Sequence, residues 1–230
     1  MISHFKTVLL TCVLALPVHA AEEESSKGIS IRFFAVALHK NQGSVCVMDS
    51  EIRKPAFEIP TTCLSESQSV TTRSLVLVES TAPTGAMPVP LATLRLPDKG
   101  SDFRIILVPA ENNDYRAVVV RGDDPKFSSG DFFFLNLSTH EVLGRLGTAK
   151  LDLKPGAKEI IRPGGAKSDK FFEVKFARRA ESGFIPLTNT CWPVVNDNRS
   201  FLIFYNGRSG RPTYRAVDEF MMLADAGKSR

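Results

Sequence analysis

Residues that could carry chemistry are few in this chain, and they are scattered. After residue 20 only two histidines remain, His39 and His140. Neither belongs to a His-x-x-x-His or Cys-x-x-Cys pair, the short spacings from which zinc sites are commonly built. Each follows an apolar run in a polar stretch, which reads as two exposed turn histidines. Nucleophilic catalysis needs a serine, cysteine or threonine with a base and a third orienting group. No Gly-x-Ser-x-Gly is present, and nothing marks Cys63 and His39 as such a pair. Gly164-Gly165 lies in a turn between strands with no helix after it, so it is not a phosphate cradle. The sequence therefore offers no catalytic, cofactor-binding or metal residue, and it is read as non-enzymatic, with no cofactor.

The least ordinary surface feature is the turn Asn206-Gly207-Arg208-Ser209-Gly210-Arg211. Arginines between glycines make a mobile basic tip suited to anions or an acidic partner, so Asn206, Arg208 and Arg211 form a candidate partner-binding loop. The matching turn about a hundred residues earlier, Glu111-Asn112-Asn113-Asp114, is acidic. That polarity predicts weak head-to-tail self-association. Arg121-Gly122-Asp123 spells an integrin-type tripeptide but reads as ordinary linker, and Asn136 and Asn198 head glycosylation sequons. Cys46 and Cys63 would close a loop of about 17 residues, worth about 3 kcal/mol if bridged. The alternative is that both are free. Cys191 reads as a buried thiol or, less readily, as an intermolecular bridge.

The elements that position these residues are strands. Short runs rich in Val, Ile, Leu and Phe alternate with Pro, Gly, Asn and Asp throughout. Four blocks recur in order: Arg32–Leu38 with Asp131–Leu137, Val89–Pro97 with Ile185–Pro193, Phe103–Val108 with Phe201–Asn206, and Tyr115–Val118 with Tyr214–Val217. Their offsets are 99, 96, 98 and 99 residues, about the length of one immunoglobulin-like sandwich. The fold class expected is all-β, with two tandem immunoglobulin-like antiparallel sandwiches related by internal duplication.

First-repeat strands are expected at 29–38, 44–48, 56–59, 73–79, 92–96, 103–109 and 115–121. Second-repeat strands are expected at 131–137, 142–146, 149–153, 158–161, 171–177, 187–192, 201–205 and 213–217. The stretch Gly122–Gly130 lacks periodicity and reads as the boundary between domains. In Phe132–Leu137 both strand faces are apolar, so one should meet the sandwich core and the other the neighbouring domain. Trp192, the only tryptophan, reads as a core plug. Asp218–Ala226 reads as a short amphipathic helix.

Lys6, the apolar stretch Thr7–Val18 and the small residues before Ala21 read as an export signal. The domains expected are a signal peptide at 1–20, a flexible tether at 21–27, sandwiches at 28–122 and 123–218, and a tail at 219–230. The apolar stretch falls short of the ~20 residues of a membrane span. Losing Lys6 lowers the formal charge from +4 to +3, a mild balance that gives no support to nucleic-acid binding.

The chain resembles exported bacterial proteins built from tandem immunoglobulin-like sandwiches. The carriers are the export signal, FFAVAL/FFFLNL, PLATLRLP/PLTNTCWP, the two YRAV blocks and the Pro-Gly turn of Leu151–Lys158. The resemblance implies a periplasmic or secreted binding or scaffold protein that contacts a protein or surface polymer through loops and strand edges. The alternatives are a carbohydrate-binding module using Trp192 and, behind it, a hydrolase with an unmarked site.

Overall fold

Runs such as Phe33-Phe34-Ala35-Val36 and Phe132-Phe133-Phe134-Leu135 are apolar at successive positions, so a strand built from them has two faces to bury. A computed structural model, which describes residues 28–81, 89–181, 183–207 and 209–221, shows how both faces are covered. The first eight strands are β1 (Ile29–Ala35), β2 (Val45–Asp49), β3 (Ile52–Arg53), β4 (Gln68–Val70), β5 (Ser74–Glu79), β6 (Pro90–Arg95), β7 (Asp102–Pro109) and β8 (Tyr115–Arg121). The next eight are β9 (Phe132–Asn136), β10 (Val142–Leu146), β11 (Ala149–Leu153), β12 (Lys158–Ile161), β13 (Phe171–Ala180), β14 (Gly183–Pro193), β15 (Asn198–Asn206) and β16 (Pro212–Phe220).

They build four four-stranded sheets: A, ordered β4-β1-β7-β8; B, β3-β2-β5-β6; C, β12-β9-β15-β16; and D, β11-β10-β13-β14. Adding eight to every strand number of A and B gives C and D. The pairing sense repeats as well: β1 runs parallel to β7, and β9 runs parallel to β15. So does a β-bulge, between Leu77 and Val78 opposite Pro90 and between Phe176 and Ala177 opposite Pro186. The expected pair of all-β sandwiches is present. The strand order is not that of the immunoglobulin fold, in which the first, second, fifth and fourth strands share a sheet; here β1 sits between β4 and β7.

The layers stack B–A–C–D around three apolar cores. Phe33, Ile105 and Leu77 belong to the core between A and B. Phe134, Phe176 and Phe204 belong to the core between C and D. The other faces of β1, β7, β9 and β15 meet in a central core of Phe34, Ile106, Phe133 and Phe201. The expectation that one face of β9 meets the neighbouring domain is met by Phe133 and Leu135 in that central core.

Charged side chains at this central junction converge on one carboxylate, and of these Arg32 Nε is buried without a hydrogen-bond partner. Glu219 of β16, 4% exposed, accepts from Arg104 Nε of β7 at 2.9 Å and from Arg199 Nε and Nη2 of β15, both at 2.9 Å. Arg32 Nη1 stands 3.6 Å away. Arg199 Nη1 also donates to the carbonyls of Gly122 (2.7 Å) and Phe127 (2.9 Å), and its guanidinium lies over the Phe127 ring. Hydrogen bonds from two arginines, with the charge of Arg32 beyond them, leave the buried carboxylate compensated, which is the condition for burying a charge.

Several expectations change. The boundary stretch is not a featureless linker: Phe127 is buried in the central core, contributing about 1.5–3 kcal/mol. The strand expected at 56–59 reduces to one bridge, Val45 to Phe57, because β3 is the hairpin partner of β2. The strands β3 and β4 are short and polar enough to carry no periodic signal. The tail does not start a helix at Asp218, since Asp218–Phe220 continue β16 opposite Ser200–Asn198. Residues 222–230, the expected signal peptide and the tether lie outside the described residues. No helix among the described residues is long and apolar enough to cross a membrane.

Candidate functional site

The strand β14 is the edge of sheet D, and among the described residues only β13 pairs with it. Its eleven residues, GFIPLTNTCWP, include no charged side chain and none that is buried. Phe184 is 61% exposed and Ile185 38%. Edge strands are ordinarily blunted by charge, proline or shortness, because unpaired N–H and C=O groups invite another strand. Here only Pro186 and Pro193 interrupt the edge.

The hydrogen bond from Val194 N–H to Lys170 C=O, 2.8 Å, sets the phase of the ladder. With Phe172 opposite Trp192 and Val174 opposite Thr190, the backbone groups of Thr188, Thr190 and Trp192 turn to β13. Those of Asn189 and Cys191 turn to the open side. Pro193 falls in the same outward phase, so its missing N–H costs the sheet nothing.

On the solvent face of sheet D, next to this edge, lies a shallow groove of about 430 Å³. Its apolar wall includes Leu143, Ala177, Phe184 and Pro186, and Arg145 and Lys175 flank it. Gly144 is required there, because a Cβ would collide with the Lys175 carbonyl and the Phe176 ring. Cross-strand register places Lys150 opposite Arg145, Arg145 opposite Lys175, and Lys175 opposite Asn189. Three cations thus form one row across the sheet, ending at the free edge. Like charges directly opposite one another are destabilising. One row away, Glu173 accepts from Arg145 Nη2 at 2.8 Å and from Lys167 Nζ at 2.5 Å. The hydrogen bond from Lys167 holds the Glu173 carboxyl below its usual range and raises the Lys167 pKa.

The other face of β14 looks into the second sandwich at its open side. Trp192 stacks on Phe132 (6.0 Å, 14°) and meets the edge of Phe176 at 5.8 Å. It packs against the core and lines a cleft of about 190 Å³ with Ser200 and Leu202. With Phe132 and Phe176 against it, the ring is not a free platform for a sugar.

The basic turn chosen from sequence is placed elsewhere. Arg208 lies outside the described residues, Arg211 is exposed, and Asn206 Nδ2 donates to Thr139 Oγ1 at 3.2 Å. Asn206 and Gly207 line one end cleft with Asn113 of the acidic turn. Both tips therefore share one end of the molecule, whereas head-to-tail association needs them at opposite ends.

Cys46, Cys63 and Cys191 are free thiols, so the Cys46–Cys63 bridge is not formed. Cys46 is buried in β2, which pushes its thiol pKa up, while Cys63 is exposed on the loop before β4. Cys191 is exposed on β14, not buried. His39 is only partly exposed: its Nε2 lies 2.7 Å from the Asp114 carbonyl and its ring packs on Tyr115. Arg121 pairs with Asp123 at 3.0 Å, so the integrin-type tripeptide is engaged internally. Asn136 is fully buried, donating to the carbonyls of His140 and Leu153. Among the described residues no group of three or more His, Cys, Asp or Glu is placed to hold a metal.

Sequence reasoning missed the row Lys150, Arg145, Lys175. The hairpin β10–β11 carried a signal for its first two members, but Lys175 joins only through the nonlocal pairing with β13. No family model and no curated protein matches the chain.

Proposed function

We propose that this is an exported, non-enzymatic binding or scaffold protein that engages an extended segment of a partner along β14. One observation carries the reading: an eleven-residue edge strand without a charge, whose Asn189 and Cys191 backbone groups face the open side. Adding a strand to such an edge satisfies those groups, and pockets for alternate side chains supply selectivity. The apolar groove beside the edge is such a pocket. Export is supported by Lys6, the apolar stretch Thr7–Val18 and the small residues that follow. The internal duplication is supported by the shared strand order, in which one sandwich supplies the framework and the other an open edge.

The test is a crosslinked pull-down of the mature chain from its native envelope or medium, read by mass spectrometry, beside the variant Asn189→Pro. That proline removes only an outward N–H, as Pro193 already does, so the ladder to β13 survives. A partner recovered by the parent chain and lost with Asn189→Pro is the expected result. A partner recovered equally by both, and lost with Arg211→Glu, would transfer the site to the basic turn.

A further inference from the structure

The charges around β14 define what should lie on it. The row Lys150–Arg145–Lys175 ends at Asn189, and Lys167 adds a fourth cation nearby. Glu173 alone bridges two of these cations, and Asp152 stands in the next row, opposite Leu143. The solvent face of sheet D is therefore cationic in excess where an added strand would continue it. Beyond the bulge, the row one step along contains Leu143, Ala177 and Pro186, the apolar wall of the groove.

We infer that the segment added to β14 is an acidic peptide. It carries a carboxylate opposite Asn189, at the end of the cation row, and an apolar side chain two residues away, against the groove. Two residues is the spacing because successive side chains alternate between faces, and the rows through Asn189 and Pro186 are adjacent on one face. The inference rests on the proposed engagement of β14.

Charge also selects against the other occupants. A second copy pairing edge to edge would bring two cation rows end to end, each lacking a matching anion. A polyanionic glycan would satisfy the cations but leave the backbone donors and acceptors of Asn189 and Cys191 without a strand.

The experiment uses the mature chain and two fluorescently labelled peptides of about ten residues in a Thr/Val/Ser host. One carries Glu-x-Ile at its centre and the other Lys-x-Ile; binding is read by anisotropy at low and high salt. The Glu peptide should bind about fivefold tighter at low salt, the yield of one exposed ion pair. The difference should shrink at high salt and invert with Lys175→Glu. Equal binding of both peptides, abolished by Asn189→Pro, would overturn the acidic chemistry while leaving the edge standing. Binding of neither peptide, or binding indifferent to Asn189→Pro, would overturn both. Capture of heparin through Lys175 without peptide binding would make the ligand a polyanionic glycan. A dimer by light scattering that Asn189→Pro dissolves would make it a second copy. Either of these last two results also overturns the inference.

Discussion

The two sandwiches meet the same edge problem and treat it differently. In the first, β6 lies against β8 and buries Leu91, Ala92 and Leu94, with Leu96 just beyond its end. In the second, no comparable approach joins β14 to β16, and no residue of β14 is buried. Register gives the reason. Leu94 faces the core opposite Leu75, and Ala92 opposite Leu77; their counterparts Thr190 and Thr188 stand opposite Val174 and Phe176. Trp192 replaces Leu96. Threonine at inward positions removes much of the apolar area that would draw the edge shut. The solvent-facing position of Arg95 is taken by Cys191, so a charge that blunts the first edge is missing from the second. A shared framework thus yields one closed edge and one open one through a handful of side chains.

The largest expected effect comes from breaking what both sandwiches share. Glu219→Ala leaves Arg199 buried without a carboxylate and Arg104 with Asp102 alone, a loss of about 3–5 kcal/mol. Chemical denaturation should show it as a lower midpoint; a change within 1 kcal/mol, in order-of-magnitude terms, would mean the junction relaxes around the arginines. The comparison itself is tested by two alanines at equivalent positions. Leu94→Ala should cost about 2–5 kcal/mol, and Thr190→Ala about 0.5 kcal/mol or less. Equal costs would show that the second edge is closed in solution.

The smallest effect concerns acid. Asp49 is fully buried in β2; burial would raise its pKa, but hydrogen bonds from the backbone and hydroxyls of Thr72 and Thr71 outweigh that and hold it well below the usual carboxylate range. Its folded pKa lies below its unfolded one, so its stabilisation is present above the unfolded value, near pH 4, and is lost as pH falls toward the folded one. Asp131, in the second sandwich, is also lowered: burial opposes this, while the largest favourable contribution is its hydrogen bond from Arg162, 2.7 Å away and itself 61% exposed. Asp49→Asn should therefore flatten the acid limb of a stability–pH curve more than Asp131→Asn does. Equal flattening would show that solvent does not weaken the second pair.

Much of this architecture was legible along the chain. Strands at 115–121, 142–146, 149–153 and 158–161 are expected from alternation and turn residues, and they form with those bounds. The turn at Asn112-Asn113 forms as those residue types predict, both at positive φ. The two apolar faces of Phe132–Leu137 pointed to a second contact surface before any pairing was known.

What the sequence by itself determined, then, was local: which runs extend, where they turn, and which need burial on both sides. Tertiary structure alone decided the rest. Arg104 and Glu219 meet across 115 residues of chain, and no periodicity announces a charge pair buried at that separation. Lys175 becomes part of a cation row only because β13 pairs with β10. Phe127, inside a stretch with the composition of a linker, is a core residue because the fold brings it against Phe133 and Phe201. Alternation fixes the face a side chain takes within its own strand, whereas the identity of the neighbouring strand depends on long-range pairing, where the charge row, the buried carboxylate and the open edge all arise.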